Sequence, residues 1–122
     1  MNPAVVASTP ASRALIASGA VLAAAGIALS AYAAHGGGED KASLQTAALF
    51  AFGHGIALAA LTPTAMRALA RSALAMLLLG VLLFAGGLTA AHFHGLPTTL
   101  APFGGGLMIL AWLVFAADAL RR

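Results

Sequence analysis

The sequence predicts an all-α integral membrane protein, a bundle of four transmembrane helices, and three observations predict it. Hydrophobic residues make up 61% of the 122-residue chain and charged residues only 7%, against roughly 25% charged in an ordinary soluble domain. The apolar residues fall into four runs, each near the ~20 residues that a helix rising about 1.5 Å per residue needs to cross a bilayer. None of the runs alternates as a strand does, and each is too long for a barrel strand. Helices, which pair their backbone groups internally, are the spanning form that remains.

The elements follow in order. Residues 1–13 are small, polar and proline-bearing, and read as a flexible tail ending at Arg13. The first span is expected over 14–34. Its Arg13 flank and its Ala31-Tyr32-Ala33 triplet resemble a signal peptide with a cleavage site, but the apolar run exceeds the usual h-region of about 7–15 residues. It is expected to stay as a span. The second span, 42–61, carries Gln45, Thr46 and His54, is the weakest by hydropathy, and stops at Thr62-Pro63-Thr64, where proline disfavours continuation. The third, 72–91, is rich in Leu, Met and Val. The fourth, 102–120, has Thr98 or Thr99 as a candidate cap and Pro102 in its first turn. Together 14–120 form one domain.

Charge sets the expected orientation. With four spans, Arg13, Arg67, Arg71, Arg121 and Arg122 fall on one side and only Lys41 on the other, beside Glu39 and Asp40. The positive-inside rule then puts both termini and the second loop in the cytoplasm. The net charge of +3 is therefore a topology signal. It is not a basic patch with interleaved aromatics, so nucleic acid is not an expected partner. The absence of cysteine excludes thiolate catalysis, sulfur-based zinc sites and iron–sulfur clusters.

Small residues at four-residue spacing predict close helix packing: Ala47, Ala51, Gly55 and Ala59 on the second helix, and Ala20, Ala24 and Ala28 on the first. Gly104-Gly105-Gly106 lacks the Lys and Ser/Thr of a phosphate loop and reads as close packing or a flexible start to the fourth helix.

The four histidines are the ionisable groups with functional potential. His35, His92 and His94 fall at the outer ends of the first and third spans. With a loop carboxylate they have the ligand chemistry of a zinc, copper or nickel site, although an H-x-H that stays helical points its two rings apart. His54 lies at mid-depth, where an ionisable residue is costly and a functional candidate. The readings open for it are a structural cross-helix hydrogen bond, a proton relay, haem ligation and ligand contact. Asp118 is expected to pair at the surface with Arg121 or Arg122. No mid-membrane carboxylate is present, which lowers a proton-coupled transport reading.

Several segments together resemble the transmembrane protein 256 family, whose bacterial members are filed as domain of unknown function 423. Ala34-His35-Gly36 resembles its A-H-G signature, and Gln45-Thr46-Ala47 with Phe50 and His54 its Q-T-A-x-x-[YF]-x-x-x-H segment. Leu83-Phe84-Ala85-Gly86-Gly87-Leu88 is similar to its L-F-S-G-S-L stretch, and Pro102-Phe103-Gly104-Gly105 with Ala111-Trp112 to its T-P-I-G-G and G-W elements. The likeness runs from about Gly19 to Ala117. Gly53 departs from it where an aromatic usually precedes the histidine, Ala85 and Gly87 replace the serines, and His92-Phe93-His94 has no counterpart. The resemblance implies a four-helix inner-membrane protein, singles out His35, Thr46 and His54, and implies no activity.

The expected function is a small non-enzymatic membrane protein in the lipid bilayer. It would act as an accessory subunit or assembly factor of a larger complex, through other membrane subunits or self-association. The alternatives are a homo-oligomeric transporter or channel with His54 in a polar path, and metal or haem binding through the outer-face histidines. No cofactor is otherwise expected, and no nucleophile–base or acid pair can be placed for an enzyme.

Overall fold

The computed structural model describes residues 2, 9–36, 38–39 and 41–121. Residues 1 and 3–8 of the expected tail, Asp40 of the first loop and Arg122 lie outside these. Among the described residues there are four long helices and no strand: α1 (Pro10–Gly36), α2 (Lys41–Leu61), α3 (Ala68–His94) and α4 (Ala101–Leu120), with a 3₁₀ turn (Thr62–Thr64) after α2. All four are long and apolar enough to cross a membrane.

The helix ends show which local chemistry decides them. Residues 10–13, expected in the tail, are helical. The Ser12 N–H donates to the Thr9 hydroxyl at 3.3 Å and the Arg13 N–H to the Thr9 carbonyl at 2.9 Å. Thr9-Pro10 is thus a cap followed by proline at the first helical position, where its missing N–H costs nothing. Likewise α3 starts at Ala68 and not at Ser72: the Arg71 N–H already donates to the Arg67 carbonyl at 3.1 Å, and the Arg71 guanidinium ties the first turn back to the Met66 and Ala65 carbonyls at 2.7 and 3.3 Å. At the other end of α3, Gly95 adopts φ 66° and donates its N–H to the Ala91 carbonyl at 3.0 Å, the left-handed stop that glycine takes without a Cβ penalty. Neither Thr98 nor Thr99 caps α4 through its side chain. The Thr98 carbonyl instead accepts from the Ala101 N–H at 3.2 Å.

Helices α1 and α2 form one tight pair and α3 and α4 a second, and the pairs join mainly through α2 against α3. In lipid no hydrophobic force drives helices together, so close backbone approach supplies the packing energy. Two reciprocal glycine contacts provide it. A Cβ on Gly55 would lie 2.5 Å from the Gly19 carbonyl oxygen and 2.6 Å from the Ala23 nitrogen. A Cβ on Gly104 would strike the Phe84 backbone nitrogen and lie 2.6 Å from the Gly80 carbonyl oxygen. The contact face of α1 is therefore built on Gly19 and Gly26, both buried, whereas Ala20, Ala24 and Ala28 are exposed. Glycine lets two helix axes approach more closely than alanine, and the Gly19 and Gly26 side wins.

Between the pairs, Leu44, Leu58, Leu74, Leu77 and Val81 are fully buried. Thr62 is buried with them, its hydroxyl spent on the Leu58 carbonyl at 2.5 Å. The outside is equally apolar: Val21, Leu49, Phe103, Ile109 and Leu113 are each more than 60% exposed. Such a surface would drive aggregation in water; facing acyl chains, it is the solvated surface.

Candidate functional site

The polar group that bonds across helices among the described residues is His54. It lies on α2, half-buried, with both ring nitrogens engaged. Nδ1 lies 3.0 Å from the Phe50 carbonyl one turn back, and Nε2 accepts the indole N–H of Trp112 at 3.1 Å. A carbonyl can only accept and an indole N–H can only donate. Both contacts are met together by one species, the neutral ring protonated at Nδ1, and that tautomer follows from the partners.

Aromatic rings flank this contact, which lies on the outside of the bundle, Trp112 being exposed. The imidazole stacks on Phe50 at 5.6 Å between centroids and an interplanar angle of 12°, and Trp112 tilts against it at 6.0 Å. Phe50 packs on Phe84 of α3 at 4.8 Å, and Trp112 meets Phe115 edge-on at 6.1 Å. The His54 cluster therefore ties α2, α3 and α4 at mid-depth. Its partner Trp112 is 58 residues away in sequence. The available signal was that the chain's single Trp, set in lipid, needs an acceptor for its N–H.

The structure does not gather the three residues that the resemblance singled out. Thr46 is exposed and donates to the Ala42 carbonyl at 3.0 Å; His35 is exposed and its Nδ1 lies 2.9 Å from the Ala31 carbonyl. Each is tied to its own helix, as His54 is to Phe50. Ala47, Ala51 and Gly55 are buried along α2, and Ala59 is half-buried.

The candidate metal set of His35, His92 and His94 is not assembled. Among the described residues no group of three or more His, Asp or Glu is placed to hold a metal ion. The reason is geometric: α3 stays helical to His94, so residues two apart diverge around its axis. His92 turns to Tyr32 and Phe93, at ring distances of 6.2 and 4.9 Å, with its Nδ1 buried and unpartnered. His94 faces a groove between α1 and α3.

Two of the concavities bear on function. The groove between α1 and α3 encloses about 570 Å³ and is lined by apolar and small residues, Ala25, Ala28, Ala85, Gly86 and Ala90 among them. The second is a cleft of about 770 Å³ where α3 begins and α4 ends, lined by Arg67, Ala68, Leu69, Ser72, Asp118 and Arg121. Asp118 is not the surface residue expected. It is only 2% exposed, its Oδ1 has no hydrogen-bond partner, and no side chain of the cleft forms an ion pair with it among the described residues.

The family model described as "Protein of unknown function (DUF423)" matches residues 29–105, more than half of the chain. The matched stretch contains His35, Thr46 and His54; Trp112 and Asp118 lie beyond it. Comparison with curated proteins and with solved structures yields no match.

Proposed function

Since the chain belongs to the DUF423 family of unknown function and is a small membrane protein of four spanning helices, we propose that it is a non-enzymatic accessory subunit or assembly factor of a larger membrane complex. The proposed setting is the inner membrane, in keeping with the family resemblance, and the arginine asymmetry supports cytoplasmic termini. The observation that carries the accessory role is the groove between α1 and α3. Glycines 19, 26, 55, 80 and 104 are each used against a neighbouring helix, yet a Cβ on Gly86, in the groove, would meet nothing within 4 Å. Close-packing capacity on that face is unspent, and a partner helix is the body that uses it.

A transporter or channel working through His54 has less support, because both of its ring nitrogens are held by protein groups. Haem or metal binding has less support because the outer histidines diverge. A photo-crosslinking residue at position 86, introduced into the chain in its native host, tests the accessory role. The expected result is a discrete adduct with another membrane polypeptide, absent when the probe sits at Leu113 on the outside of α4. Equal, diffuse labelling at both positions would overturn the reading.

A further inference from the structure

We propose that the cleft between the start of α3 and the end of α4 holds the headgroup of an ethanolamine phospholipid, a phosphodiester that carries a primary ammonium. Three observations converge on it. Asp118 is buried at the last turn of α4 with Oδ1 unpartnered, and it lines the cleft. A carboxylate withdrawn from water costs several kcal/mol unless a donor answers it, and the described residues supply none. The donor comes from a ligand, and a cationic one answers best.

The same cleft is also built for an anion. Arg67 and Arg121 line it, both exposed, and neither guanidinium has a hydrogen bond or ion pair among the described residues. Arg71, the other arginine near the start of α3, is committed to the Met66 and Ala65 carbonyls. Ala68 and Leu69, also in the lining, are the first residues of α3, where free N–H groups and the helix dipole favour negative charge. Guanidinium is the side chain suited to phosphate.

A cation alone would leave the arginines unanswered, and a lone carboxylate is a poor metal site. A purely anionic headgroup would meet Asp118, and a choline headgroup has no N–H to give it. An ammonium joined to a phosphodiester satisfies both halves. The cleft also sits at a helix terminus, the depth at which such headgroups lie.

Native mass spectrometry of the full chain in mild detergent, with phosphatidylethanolamine, phosphatidylcholine or phosphatidylglycerol added in turn, is the test. The expected result is retention of the ethanolamine lipid about tenfold above the other two, the scale of one charge-assisted hydrogen bond. Asp118→Asn is expected to abolish that preference, and Arg67→Gln, at an exposed position where folding is not at stake, to weaken all three lipids. Equal retention of the three lipids, a preference that survives Asp118→Asn, or retention unchanged by Arg67→Gln would overturn the proposal. Competition by glycerophosphoethanolamine at the lipid's own concentration would overturn the membrane as its source.

Discussion

Gly55→Val is expected to destabilise the bundle by upward of about 3 kcal/mol, since overpacking costs about 1–3 kcal/mol where side chains can yield and more where backbone must move. The first added carbon would lie 2.5 Å from the Gly19 carbonyl oxygen and 2.6 Å from the Ala23 nitrogen. Neither can rotate away, so α1 and α2 must separate, and the Gly26 contact with Phe52 and Ala48 loosens with them. Gly53→Val is the matched control two residues earlier on the same helix, where a Cβ meets nothing within 4 Å. Thermal unfolding in detergent, followed by circular dichroism, should separate the two variants clearly. Equal melting temperatures would show that the glycine contact does not hold the pair together.

The second large effect concerns His54 and Trp112. His54→Leu leaves the Trp112 indole N–H without its acceptor, and Trp112→Phe leaves Nε2 without its donor. Each single change is expected to cost about 1–3 kcal/mol, the penalty of a polar group left unpaired where lipid replaces water. In a double-mutant cycle the coupling should be about 0.6–1.7 kcal/mol, the range for hydrogen bonds between membrane helices. Coupling near zero would mean that the two rings are neighbours without a bond between them. The loss should also loosen α4 against α2 specifically, because no other side-chain hydrogen bond among the described residues joins those two helices.

Much of the architecture was legible because lipid simplifies the problem. Length, apolar content and charge position suffice to locate four spans, and the expected ranges differ from the helices by only a few residues at most ends. The misplaced ends share a cause. Thr9-Pro10 and Arg71 act through side-chain or cap hydrogen bonds that extend a helix into residues that composition assigns to tail or loop. The packing face of α1 was misread because alanine and glycine stripes have similar spacing, and only the approach of α2 shows which side has room for backbone. His54 stood out as a mid-depth histidine, but its partner did not, since nothing local to either residue encodes a contact across two helices.

Asp118 and the outer histidines show the same limit from opposite sides. At i+3 from Arg121 the aspartate reads as one half of a surface pair; it is buried because the start of α3 lies across it. His35, His92 and His94 share an end of the bundle in sequence terms, yet helical geometry disperses their rings. Shared depth is readable from topology, whereas direction around a helix axis depends on packing.

Blue-native electrophoresis of gently solubilised membranes from the native host, with the chain untagged and at its natural level, tests the accessory role most directly. The expected result is migration in a high-mass assembly that contains other polypeptides, lost when Gly86→Leu fills the groove between α1 and α3. Migration solely as a free monomer, with wild type and Gly86→Leu alike, would contradict it.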